Sequence, residues 1–159
     1  MTVSTDLLAS WGNPRQGVRR HLARGVSEPF AFTLLLVFLI LTFIGQWPVA
    51  AREAFLADEP TAAPRILARA FAVLATIPLW YLVAALARLI GRALGGKGSW
   101  YGARLALFWA LATVSPLMLL QGLVAGMIGP GPALSLVTGL TGGAFLWLWL
   151  NMSREVEQG

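Results

Sequence analysis

No cysteine occurs in the chain, so disulfides, thiolate nucleophiles and cysteine-type zinc sites are excluded. A single histidine, His21, leaves little for metal or acid–base chemistry. Charge is scarce as well. Only 12% of the residues are Asp, Glu, Lys or Arg, against about 25% in an ordinary soluble domain. Apolar side chains take their place, making up 57% of the 159 residues, with a mean hydropathy of +0.71. Together these shortages exclude a disordered chain and argue against a water-soluble globule.

What is present is a set of long gaps between charges. Glu28 and Arg52 are separated by 23 uncharged residues, Arg69 and Arg88 by 18, and Arg104 and Arg154 by 49. A helix needs roughly 20 apolar residues to cross the hydrocarbon core of a bilayer. The first two gaps hold one span each. The third holds two, broken by Gly129-Pro130-Gly131-Pro132. Lipid offers no partner to a free N–H or C=O, so the spans are helices. The fold class is therefore all-α: a polytopic membrane bundle with spans at about 29–47, 70–91, 105–128 and 133–151. Residues 1–28 form an N-terminal interfacial segment, and 152–159 form a tail. The 28 residues ahead of the first span are too long for a signal-peptide n-region, so that span is read as retained.

Lys and Arg set the expected orientation. Arg15, Arg19, Arg20, Arg24, Arg88, Arg92, Lys97, Arg104 and Arg154 lie on one side, against Arg52, Arg65 and Arg69 on the other. This split places both termini in the cytoplasm. It also accounts for the calculated pI near 11.1 without a nucleic-acid partner.

Within residues 3–28, Asp6, Leu7, Leu8 and Trp11 suggest a first amphipathic turn or two, and Asn13-Pro14 reads as an N-cap followed by proline at the first helical position. Val18, Leu22 and Val26 form an apolar row bordered by Arg15, Arg19, Arg20 and Arg24. That pattern suits an anionic leaflet or a simple topology flank. Ser27 is a candidate cap for the first span, with Pro29 just inside it. The 48–65 connector is stiffened by Pro48, Pro60 and Pro64, and its Glu53, Asp58 and Glu59 read as a solvated loop. Gly91, Gly96 and Lys97 mimic a phosphate loop. Gly98 stands where Ser or Thr belongs, and a membrane helix precedes the loop in place of a strand. A flexible hairpin with Lys97 toward the headgroups is the better reading. Arg92, Lys97 and Arg104 then join the N-terminal arginines as the candidate lipid- or partner-binding set.

No Asp, Glu, Lys, Arg or His falls in a span core. Ion and proton pathways usually need one. Pro78 and Pro116 fall near mid-bilayer and predict kinks. Thr113, Ser115 and Gln121 are the polar side chains of the third span, and Gln121 is its main polar candidate at depth. Gly122 and Gly126, and Ser135, Gly139 and Gly143, recur every four residues. They are expected to pack the last two spans as a hairpin, or to support a homo-oligomer. Trp47, Trp109, Trp147 and Trp149 read as an aromatic belt, while Trp80 and Tyr81 are deep enough to pack on other spans.

Asn13-Pro14-Arg15 ahead of a long span, Gly95-Gly96-Lys97-Gly98-Ser99-Trp100 running into the third span, and Pro116-Leu117 within it resemble bacterial members of the Yip family. The resemblance covers about 13–150. It implies a non-enzymatic membrane protein with no cofactor, acting as a scaffold or accessory subunit toward lipids and a membrane partner. The family typically has one span more than the four counted, so either its last helix is missing here or the division of 105–153 is too coarse. Eleven arginines to one lysine, with abundant alanine, suit a bacterial inner-membrane setting. The residues themselves also leave open a small transporter or channel component, through Pro78, Pro116 and Gln121. A Ser/His/Asp set, a metal cluster and paired acids within a span are all missing, so an enzyme ranks last.

Overall fold

A computed structural model describes residues 3–58 and 61–158, with the side chains of residues 3–5 and 8 left out. Glu59 and Pro60 of the connector, and the side chain of Leu8, thus lie outside the described residues. Two short helices open the chain, α1 (Val3–Gly12) and α2 (Pro14–Ala23). Five more follow: α3 (Glu28–Leu56), α4 (Ala63–Ala75), α5 (Ile77–Ala93), α6 (Trp100–Met127) and α7 (Pro132–Gln158). Among the described residues, four units are long and apolar enough to cross a membrane: α3, α4 with α5, α6 and α7. Residues 105–153 contain two helices, α6 and α7, joined by one turn.

Local signals explain most helix ends. The Asn13 carboxamide oxygen accepts the Gln16 N–H at 3.2 Å, and Pro14 follows at the first helical position. Ser99 accepts the Gly102 N–H at 2.9 Å and starts α6. Ser27 precedes α3 without a side-chain cap bond, which corrects its expected capping role. Gly95 and Gly129 follow α5 and α6 at φ of 85° and 90°, a conformation that costs glycine little.

The helices overrun the expected spans. At about 1.5 Å per residue, the 29 residues of α3 extend roughly 43 Å, beyond a core of about 30 Å. Charge spacing marks where hydrocarbon ends, not where hydrogen bonding ends. Pro48 consequently lies inside α3, not in a connector. Residues 152–158 continue α7. Pro78 is the second residue of α5 and follows a helix break at Thr76. The helix is interrupted there by one residue: Pro78 has no N–H for the preceding turn, and the Thr76 hydroxyl bonds the Val73 carbonyl at 2.6 Å. In contrast, α6 runs unbroken through Pro116.

Helix α6 is the axis of the bundle. Tyr101 to Ser115 is buried except for the half-buried Arg104. Along its length runs α3, burying Leu34, Leu35, Phe38 and Leu39. A Cβ at Gly122 would strike the Gly45 backbone, and one at Gly126 would strike Pro48. The glycine row of α6 therefore receives α3, not α7. Gly139 and Gly143 have no neighbour within 4 Å of a Cβ position, and Ser135 is exposed. This corrects the expected α6–α7 glycine seam. The inward face of α7 carries Thr141, Leu148, Met152 and Val156, and the small residues point elsewhere. Trp80 meets Phe38 at 5.4 Å and Tyr81 meets Phe108 at 5.3 Å between ring centres, docking α5 on α3 and α6.

Candidate functional site

The basic end of the bundle gathers α1, α2, the 94–99 loop and the last turns of α7. The two short helices form a cap seated on α6. Trp109 is fully buried beneath it, and its indole N–H donates to the Ser10 hydroxyl at 2.9 Å. Ser10 in turn donates to the Asp6 carbonyl at 2.8 Å. Trp109 is therefore a core residue, not part of an interfacial belt. Trp47 and Trp147 stay exposed. Gly17 lets the helices meet, because a Cβ there would strike Ser10.

Beside this contact lies a buried polar cluster. Asp6 is 2% exposed and receives Arg20 at 3.2 Å, with Arg24 at 3.9 Å. His21 Nε2 lies 3.9 Å from Asp6, and its ring stacks on Phe30 at 4.9 Å and leans on Trp109 at 4.3 Å. Burial holds the His21 pKa below its ordinary 6.5, aided by Arg24 and Arg20 and opposed by Asp6.

On the other side of α7, the glycine loop encloses a carboxylate of the chain itself. Glu157 receives Arg88 at 3.0 Å and the Gly98 N–H at 3.1 Å. Its main-chain carbonyl receives the Lys97 N–H at 3.1 Å. A Cβ at Gly91, Gly96 or Gly98 would collide with the Glu157 side chain. The loop is thus pinned, which corrects the expectation of a flexible hairpin. Its likeness to a phosphate loop goes as far as one backbone N–H, that of Gly98, meeting an anion.

The candidate basic residues divide by what they already hold. Arg15, Arg92 and Lys97 are exposed. Arg19 is exposed but reaches Glu155 of α7 at 3.3 Å. Arg20 and Arg24 hold Asp6, and Arg104 pairs with Glu28 at the start of α3. Sequence reasoning missed Asp6, Glu155 and Glu157 as partners. The usable signal was the cluster of glycines at 91, 96 and 98, more than a turn alone requires.

At the opposite end Glu53 receives Arg69 at 2.7 Å and Arg65 at 3.5 Å, and Arg69 also bonds Gln46. Arg52 covers the C-terminal carbonyls of α6, reaching that of Met127 at 3.4 Å. Gln121 donates to Thr138 at 3.0 Å, tying α6 to α7. Both line a cavity of about 270 Å³ with Thr42 and Gln46.

Compared with models of known families, the chain matches the Yip1 domain over residues 8–157. The chain belongs to the Yip1 domain family. The matched stretch of this Yip1 domain takes in most of the cap, the glycine loop and Glu157. Searches of curated proteins and of solved structures returned no match.

Proposed function

We propose that this Yip1 domain is a non-enzymatic scaffold or accessory subunit of a bacterial inner membrane, with both termini cytoplasmic. Its basic end would engage a membrane-protein partner or anionic headgroups. The observation that carries the reading is the polarity of charge in the folded bundle. Nine Lys and Arg side chains and four carboxylates gather at the end bearing the cap, the loop and the end of α7. That end therefore carries the whole net charge of +5. Surface cations near an anionic leaflet contribute about 1 kcal/mol each. The cap, the last turn of α5 and the pinned loop present Arg15, Arg92 and Lys97 on a fixed framework, which suits a binding surface more than a moving gate.

Purification in mild detergent, with quantitative identification of co-purifying proteins, tests this. Substituting Arg15→Gln, Arg92→Gln and Lys97→Gln together should release the partner and leave the fold intact. Arg20 and Arg24 are poor choices for this test, because they also hold Asp6. If the partner is retained equally by the triple variant, the reading fails.

A transporter or channel component is the second reading, favoured by the cavity lined by Thr42, Gln46, Gln121 and Thr138. Solute flux through liposomes containing only this protein, abolished by Gln121→Leu, would favour it over the scaffold.

A further inference from the structure

A cleft of about 520 Å³ opens at the basic end, between the last turns of α5 and α7. We propose that it binds one anionic phospholipid, with an acyl chain along the apolar walls and the phosphate at Arg154. The proposal deepens the reading of the basic end as a lipid- and partner-facing surface.

Three observations converge on this occupant. The walls are apolar and continuous with side chains suited to hydrocarbon. Ala87, Ile90, Leu94 and Leu150 line the cleft, and the last three are exposed. The rim is cationic. Arg154 lines the cleft and is exposed, while the one carboxylate among its described lining residues, Glu157, is already taken up by Arg88 and the Gly98 N–H. An anion approaching Arg154 therefore meets a neutralised pair, not a free negative charge. The third observation is a missing acceptor. Trp149 also lines the cleft, and its buried indole N–H has no hydrogen-bond partner among the described residues. An unmet buried donor is costly. Indole rings favour the boundary where apolar chain gives way to polar headgroup. A glycerol ester carbonyl at that depth supplies the acceptor once the Trp149 ring turns its N–H out of the wall and into the cleft.

A soluble phosphate would satisfy only the rim, and a zwitterionic lipid would bring its phosphate to Arg154 together with an ammonium that the neighbouring exposed cations, Arg92 and Lys97, repel. The pairing of a cationic rim with a cleft within the usual ligand-pocket range of roughly 300–1,000 Å³ selects a lipid carrying net negative charge.

Native mass spectrometry of the purified protein, titrated with phosphatidylglycerol, phosphatidylcholine of the same chains, or glycerol phosphate, tests the proposal. Wild type should hold one phosphatidylglycerol about fivefold more tightly than phosphatidylcholine, the effect of one cation near an anionic headgroup. Arg154→Gln, at an exposed position, should remove that preference. Ala87→Phe should abolish retention of both lipids. Leu140→Ala, on the far half of α7, should change neither. Equal binding of the two lipids, an unchanged preference in Arg154→Gln, or glycerol phosphate binding as tightly as the lipid would overturn it. Partner retention through Arg15, Arg92 and Lys97 is measured separately, so either reading can fail while the other stands.

Discussion

Gly122 and Gly139 look alike in sequence, each in a row of small residues spaced by four, yet they face different surroundings. A Cβ at Gly122 would meet the Gly45 backbone, which cannot move aside as a side chain can. At Gly139 it would meet open space. Gly122→Ala should therefore lower stability by about 1–3 kcal/mol through overpacking, and Gly139→Leu should change little. Thermal unfolding of the two variants in one detergent checks this, and the reverse order would refute it. Spacing shows which residues share a face, but not where that face points, because the choice of neighbour depends on every other span. Glu157 was illegible for a related reason. It lies 69 residues from Arg88, and nothing local marks their meeting. Their side chains are 11% and 20% exposed. Removing one partner of a largely buried pair leaves the other charge uncompensated. Glu157→Ala should cost about 3 kcal/mol and open the last turns of α7 to protease. Unchanged proteolysis would show that the loop is held by other contacts.

Among the elements, the cap departs furthest from its sequence reading. Asn13-Pro14 marked the start of α2 correctly, since capping is a local event. An amphipathic row bordered by arginines looked like a surface helix. Instead Val18 is fully buried and the pair of helices covers Trp109. A tryptophan near a span end suits both a belt and a core, and only the contact with Ser10 decides between them. The cap should also respond to pH through His21. The folded pKa lies below the ordinary 6.5, so the unfolded segment binds the proton more readily between the two values. Stability is full above 6.5 and is lost as pH falls from there through the folded value. Asp6 favours the protonated ring, while burial, Arg24 and Arg20 disfavour it. The protection of residues 3–24 against hydrogen exchange, relative to the intrinsic exchange rate at each pH, should thus fall as the pH is lowered below 6.5. His21→Phe should remove the dependence. A pH-independent wild type would contradict the account.

Across the whole molecule, four apolar spans and one basic end were legible before any contact was known. Both follow from the bilayer, which imposes a minimum apolar length and a charge bias whatever the internal packing. Which helix forms the axis was not legible. All the spans are apolar all round, and only packing singles out α6. The proposed role depends on the basic end facing the cytoplasm, where Arg15, Arg92 and Lys97 can meet an anionic leaflet or a partner. Reporter fusions in the 94–99 loop would displace Glu157, so a smaller probe is needed. The chain has no cysteine, so a single introduced thiol is a unique label. Both Asp58 and Lys97 are exposed. Labelling of Asp58→Cys and Lys97→Cys by a membrane-impermeant maleimide, with the membrane intact and then permeabilised, is the most direct test. Asp58→Cys should label while the membrane is intact, and Lys97→Cys only after permeabilisation. The opposite pattern, or the same pattern at both positions, would contradict the account.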